Sequence, residues 1–235
     1  MQNYTSTFIR REKKYLLSAA QQVQLRTTLA AHTLPDVYND TDIYTIYYDT
    51  PDYLLIRRSI EKPVYKEKLR VRTYGVPGEA DPAYIEMKRK CGKTVYKRRI
   101  ALPYHEVQAF LTSPGTGSQI AREIGYMLQH YPGLCPSIAI VCHRISLSGR
   151  EDPSLRITFD SDIRWQSART DLVAREKGIP LLEDGQQIME LKCSGALPFW
   201  ISRLLSDLSC FPVSFSKYGK AYEAMLHSSS KRNPL

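Results

Sequence analysis

The chain has none of the short motifs by which many enzymes and metal-binding modules announce themselves. Its five cysteines are scattered, with no C-x-x-C and no finger spacing. That excludes a zinc-finger framework and suits unpaired thiols in a reducing cytosol. No apolar run approaches the roughly 18 residues needed to span a bilayer. The start, Met1-Gln2-Asn3-Tyr4, lacks a basic segment followed by an apolar one, so no secretory signal is expected. Neither G-x-x-x-x-G-K-[ST] nor G-x-G-x-x-G occurs, so a nucleotide would be held without a P-loop or Rossmann turn. The five histidines form no ligand pattern, and no serine sits in an elbow or triad context. There are no long repeats, no low-complexity segment, and no aromatic stacking platform of the kind single-stranded nucleic acid requires.

What is present is cationic and periodic. Of 235 residues, 43% are hydrophobic and 24% charged, as in a globular protein, and the net charge of +9 implies an anionic partner. Glutamate precedes lysine by two positions in Glu12/Lys14, Glu86/Lys88 and Glu190/Lys192, and the run 66–72 places Lys66, Lys68, Arg70 and Arg72 on alternate positions. Alternate residues of a strand share one face, about 6.6 Å apart. Lys68, Arg70 and Arg72 therefore form a rail about 13 Å long, while Leu69, Val71 and Thr73 face the other way. Such a face could simply meet water, where exposed ion pairs contribute only about 0–1 kcal/mol. Recurrence from one end of the chain to the other points instead to a shared interior surface for a long polyanion, since arginine offers paired donors to phosphate and glutamate offers hard oxygen ligands to Mg²⁺ or Mn²⁺.

Period-2 patterns predict strands at 8–17, 43–49, 66–74, 83–90, 94–102, 137–147, 155–165 and 187–193. Helices are expected from Ser18, an N-cap candidate, to about His32 before Pro35, then at 103–111, 119–131, 198–208 and 217–227. Ser216 is placed like the N-cap of the last helix, where phosphate is favoured. The pattern implies an α+β fold: an antiparallel eight-stranded β-barrel with helices packed outside and a wet, charged interior. One domain over residues 1–227 and a disordered tail at 228–235 are expected.

The ordered segments FIRREKKYLL, TIYYDTPDYLL, KEKLRVRTYG, YIEMKRK, YKRRIAL, HRISL, LRITFDSDIRW, IMELKC and FSKYGKAY resemble the catalytic domain of the vacuolar transporter chaperone (VTC) polyphosphate polymerases, among the triphosphate tunnel metalloenzymes. The resemblance covers about residues 8–226. It implies a tunnel that takes ATP and extends polyphosphate with Mn²⁺ or Mg²⁺. Carried over by position, Lys14, Arg70, Arg72, Lys88, Arg144, Arg156, Lys192, Ser216 and Lys217 are the implied phosphate contacts, with Arg70, Arg72, Lys88 and Lys217 closest to the chemistry. Lys68 of the rail, Lys97 and Arg99 join them, although which of Lys97, Arg98 and Arg99 face inward is open. Glu190 is the implied metal ligand, with Glu12, Glu86 and Asp160 as further acidic candidates. Two positions depart from the family pattern: Cys142 stands where a tyrosine is common, and Ser214 where a basic residue often precedes F-S-K. The inositol-phosphate-sensing domain and membrane anchor of the fungal enzymes are not seen, so the expectation is a stand-alone, cytoplasmic relative whose membrane contacts, if any, come through a partner. The same tunnel with water as acceptor would be a tripolyphosphatase or nucleoside triphosphatase, and a non-catalytic polyphosphate-binding module is the alternative outside enzymes. Nucleic acid is not an expected partner.

Overall fold

A computed structural model describes residues 11–37, 39–92, 94–167 and 178–230. Eight long strands carry the architecture: β1 (Arg11–Leu17), β3 (Thr41–Asp49), β4 (Tyr65–Tyr74), β5 (Pro82–Cys91), β6 (Thr94–Pro103), β7 (Cys135–Gly149), β8 (Arg156–Ser167) and β10 (Gln187–Cys193). Three short strands, β2 (Thr33–Pro35), β9 (Ile179–Pro180) and β11 (Pro212–Val213), pair at their margins. The order is β11-β1-β10-β8-β7-β3-β4-β5-β6, and every pairing is antiparallel. No ladder joins β6 to β1 among the described residues, yet Lys97 of β6 lies 3.8 Å from Glu12 of β1. The two margins of the sheet thus meet through side chains, which curls it around a common interior.

The period-2 pattern sorts the two faces. Leu69 and Val71 of β4 and Ile85 and Met87 of β5 lie on the outer face, under α3 (Val107–Thr112) and α4 (Gln119–His130), where they pack on Val107, Leu111, Ile124 and Met127. On the other side Tyr15, Leu17, Ile157, Phe159, Met189 and Leu191 pack under α1 (Ala19–His32) and α5 (Phe199–Asp207). Ser18 caps α1 in a capping box with Gln21. This helix stops at His32, three residues before Pro35, because residues 33–35 form β2 against β7.

Two features depart from the expected layout. The turn after β3 leads into α2 (Leu54–Ile60), which the sequence reading did not anticipate; Asp49 accepts the backbone N–H groups of Leu55 and Ile56 at 2.8 and 2.9 Å and so caps it. The last helix, α6 (Lys217–Ser230), is not outside the sheet. Tyr218, Ala221 and Tyr222 pack with Ile43, Tyr47, Ile138, Ile140, Ile163, Trp165 and Ile188, all of which share the inner face with the charged rows. Part of the interior is therefore a dry core plugged by α6, and the rest is charged. Residues 228–230, expected in a tail, continue the helix, with Ser228 Oγ donating to the Ala224 carbonyl at 2.9 Å; residues 231–235 of that expected tail lie outside the described residues. No described helix is long and apolar enough to cross a membrane.

Tyr218 fixes α6 in place. Its hydroxyl donates to Asp49 Oδ2 at 2.7 Å and lies 2.8 Å from Ser137 Oγ, and its ring stacks on Tyr47 with centroids 4.4 Å apart. Removing only the hydroxyl strands part of a buried carboxylate. Tyr218→Phe should cost about 1–3 kcal/mol in urea denaturation; an unchanged midpoint would show that these bonds do not anchor the helix.

Candidate active site: a cationic belt inside the sheet

Directly paired residues of adjacent strands share a face, so the register places the charged side chains relative to one another. One row runs Lys68–Lys88–Lys97 across β4, β5 and β6. It is joined through Lys97 and Glu12 to the row Glu12–Lys192–Arg156 across β1, β10 and β8. A neighbouring row runs Tyr47–Arg70–Glu86–Arg99 across β3 to β6, and another Lys14–Glu190–Thr158–Ser146 across β1, β10, β8 and β7. The sites implied by spacing alone are thus brought together on one wall.

That wall is only partly neutralised. Glu86 is enclosed by Arg70 (Nε at 2.7 Å), Arg72 (3.9 Å) and Arg99 (3.9 Å). Burial opposes its ionisation, but these arginines prevail and hold its carboxyl down at about 2. Asp160 accepts from Arg144 Nε at 2.5 Å and from Lys217 Nζ at 2.6 Å. Despite burial, those two cations keep Asp160 ionised well below the usual carboxylate range, and Asp160 in turn raises Lys217 against the effect of its own burial. Glu190 lies 2.9 Å from Lys192 and 3.9 Å from Lys14. Burial disfavours its charge, but the ammonium groups of Lys192 and Lys14 outweigh burial and lower it.

Lys68 and Lys88 have no carboxylate within ion-pair distance among the described residues. Burial pushes Lys68 down to about 8, with Lys66, Lys14 and Arg70 adding to the effect against Tyr47. Burial likewise lowers Lys88, assisted by Lys14 and Arg70 and opposed by Glu12 and Glu190. Tyr47 feels the same field: burial would raise its phenol, yet Arg70, Lys68 and Arg72 bring it down to about 8.

At the N-terminus of α6, Ser216 Oγ accepts from Gly219 N–H at 3.2 Å and from Lys68 Nζ at 3.2 Å. The exposed N–H end of this helix therefore abuts the rail, where anions are favoured. The structure sorts the three basic residues of β6: Lys97 and Arg99 face inward, whereas Arg98 faces out and donates to Glu123 of α4 at 3.1 Å. Arg156 lies on the inner face but is engaged by Asp36, at the margin of the belt. Cys142 is 2% exposed, between the α6 core and Lys217 Nζ (3.0 Å), so it offers no surface to a ligand; Ser214 is exposed. Sequence reasoning did not single out Tyr47, Thr45, which accepts from Arg72 Nε at 3.4 Å, or the Asp49–Tyr218 anchor. Their only signal was the two-residue spacing of Thr45 and Tyr47 on the strand expected at 43–49.

For a divalent cation, the donor set is limited. No group of three or more His, Cys, Asp or Glu residues has metal-holding geometry among the described residues. Glu12 and Glu190, which approach the same Lys14 Nζ at 4.0 and 3.9 Å, are the pair that fits: two carboxylates suffice for Mg²⁺ or Mn²⁺ when phosphate oxygens and water complete the shell. Glu86 does not fit, because three arginines already occupy it.

Residues 9–226 match the family described as "VTC domain". None of the curated protein sequences compared with the chain matches it. Among solved structures, a putative adenylate cyclase from Bacillus halodurans is similar with a TM-score of 0.54 and 16% identity, over 89% of this chain and 93% of that one. One from Vibrio parahaemolyticus has a TM-score of 0.50 and 12% identity, over 92% and 98%. A putative adenylyl cyclase from Hippeastrum, described as revealing a dominant triphosphatase activity, has a TM-score of 0.50 and 14% identity, over 91% and 95%. These neighbours share the tunnel fold.

The titrations set a pH dependence. A bound polyanion raises the pKa of Lys68 and Tyr47, so binding takes up protons near and above pH 8. Tripolyphosphate affinity should therefore be level below about pH 8 and fall above it, as Lys68 loses its charge and Tyr47 becomes anionic. Calorimetry across pH 7–9.5 checks this, and Lys68→Arg combined with Tyr47→Phe should flatten the profile. In the same assay Arg99→Ala should weaken binding severalfold, while Arg98→Ala should leave it unchanged.

Proposed function

The chain belongs to the VTC domain family, and from that premise we propose that it is a triphosphate tunnel enzyme, an ATP-dependent polyphosphate polymerase. The observation that carries the proposal is the joining of the Lys68–Lys88–Lys97 row to the Glu12/Glu190 carboxylates on one inner wall. A row of cations about 4.7–4.9 Å apart across the strands suits linked phosphates, and adjacent carboxylates suit the divalent ion that accompanies them.

In the proposed reaction a terminal oxygen of the polyphosphate chain attacks the γ-phosphorus of ATP in line. The bond from the γ-phosphorus to the β,γ-bridging oxygen breaks, and ADP leaves with the electron pair. Arg70 and Arg72 are oriented by Glu86 and Thr45, so their remaining donors are held ready for the equatorial oxygens of the transferring group. Lys88, with no carboxylate within ion-pair distance among the described residues, is available to the same charge, and Lys217, fixed by Asp160, supplies a cation at the α6 end. Lys14, Lys68, Lys192 and Ser216 would hold the flanking phosphates, with Lys97 and Arg99 receiving the chain at the sheet margin. A Mg²⁺ or Mn²⁺ held by Glu12 and Glu190 would neutralise charge on adjacent phosphate oxygens. No protein nucleophile is needed. The five cysteines are free, in keeping with the cytoplasmic setting we propose, where ATP is supplied.

A second reading, hydrolysis of a triphosphate with water as acceptor, is favoured by one observation. Cys142, where the family commonly has tyrosine, is buried against α6 and cannot stack on a base. Incubation with γ-labelled ATP and Mn²⁺, resolved on a gel, separates the two. The expected result is a ladder of labelled polyphosphate with matching ADP; free phosphate without a ladder would overturn the polymerase in favour of the hydrolase, and unchanged ATP would overturn both. Glu190→Gln should lower turnover by about 100-fold or more while leaving metal-free tripolyphosphate binding intact.

A further inference from the structure

Beside Glu190 on the inner wall sits a buried hydroxyl with nothing to bond. Thr158 of β8 is paired with Glu190 on one side and Ser146 on the other, and only 6% of it is exposed. Its Oγ1 has no hydrogen-bond partner. Threonine and valine have nearly the same shape, so a purely structural position here would be served at least as well by valine, without an unsatisfied polar atom. Glu190 does not satisfy it, although the two residues are directly paired. Register places the hydroxyl on the same face as this carboxylate, one strand away, where cross-strand side chains approach each other most closely. A hydroxyl oxygen is a neutral, hard donor of the kind that Mg²⁺ and Mn²⁺ accept beside carboxylates and phosphate.

We propose that Thr158 Oγ1 is the third protein oxygen of a divalent-cation centre whose other two donors are Glu12 and Glu190. The inference rests on the phosphoryl-transfer reading of the tunnel, and deepens it. It explains why carboxylates alone give no three-membered group among the described residues: the third donor is neutral. It also explains the orphaned hydroxyl, which the cation or its bound water would engage. Thr158 acts here through the metal, and is a positioning residue for the metal–phosphate complex.

The test compares binding of β,γ-imido-ATP, which is not hydrolysed at that bond, with and without Mn²⁺, by calorimetry and by the electron paramagnetic resonance signal of the bound ion. In the wild-type protein Mn²⁺ should tighten binding. Thr158→Val should leave metal-free binding within twofold but weaken the Mn²⁺ complex about tenfold, and Thr158→Ser should restore it. The melting temperature of Thr158→Val should not fall, since a buried orphan has been removed; if that variant does not fold, Thr158→Ala carries the same comparison. Equal Mn²⁺-dependent binding by wild type and Thr158→Val would overturn the inference while leaving the tunnel reading intact. Equal weakening with and without metal would also overturn it, because the hydroxyl would then be a phosphate contact. Wild-type protein whose binding ignores Mn²⁺, or that does not bind the nucleotide, would overturn the metal centre and the polymerase reading together.

Discussion

Three lysines stand side by side across three adjacent strands, Lys68, Lys88 and Lys97, and one carboxylate, Glu12, reaches the end of that row. Like charges directly opposite one another destabilise a sheet. Much of the surrounding structure can be understood as containment of that repulsion. Glu86 neutralises part of the arginine row, Asp160 ties Arg144 to Lys217, and Glu190 sits between Lys14 and Lys192. What is left uncompensated lies along the rail, where burial and then neighbouring cations lower Lys68, and Arg70, Lys68 and Arg72 lower Tyr47 against its burial. The wall is built short of anions, the deficit that the proposed polyanionic substrate would fill.

The framework that holds this repulsion is apolar and lies mostly on the other face. Two clusters, under α3/α4 and under α1/α5, clamp the strands from outside. The third is internal: α6 fills one end of the sheet's concave side and is fastened by Tyr218 to Asp49 and Ser137. The same helix carries Ser216 and Lys217 at its first turn. Packing energy in the dry half of the interior thereby fixes two polar groups at the edge of the wet half, and stability and function share one element.

The strands were legible because period 2 is stringent: in β4 and β5, Leu69, Val71, Ile85 and Met87 alternate with Lys68, Arg70, Arg72, Glu86 and Lys88, and only one assignment of faces buries the first set. In β6 the run Lys97-Arg98-Arg99 is cationic on both faces, so periodicity could not sort it; α4 did, by offering Glu123 to Arg98. Helix α2 was hidden because its cap comes from Asp49, five residues before its first residue and inside a strand. The position of α6 was hidden as well. Apolar Ile43, Ile138 and Ile140 share the inner face with arginines, and no local pattern says whether a helix or water lies against them. For the site, the E-x-K spacing and the 66–72 run pointed to Lys14, Lys68, Arg70, Arg72, Lys88 and Lys192. Lys97, Arg99, Arg144, Arg156 and Lys217 came from the family resemblance, and Ser216 from that and its N-cap position. The spacing also treated the carboxylates as equivalent. The structure separates them by their neighbours: Glu86 is consumed by arginines, whereas Glu12 and Glu190 share Lys14.

If the uncompensated charge is the governing constraint, an anion of the right shape should stabilise the whole molecule even with no metal present. The measurement is the melting temperature of the protein with and without tripolyphosphate in the presence of a chelator. At a ligand concentration of about 100 times the dissociation constant, linkage gives about 2.7 kcal/mol. For a chain of this size that corresponds to a rise of about 5–10 °C, and the rise should shrink as salt is added. A melting temperature indifferent to tripolyphosphate at low salt would contradict the account, because the row of lysines would then have no need of the polyanion it is inferred to bind.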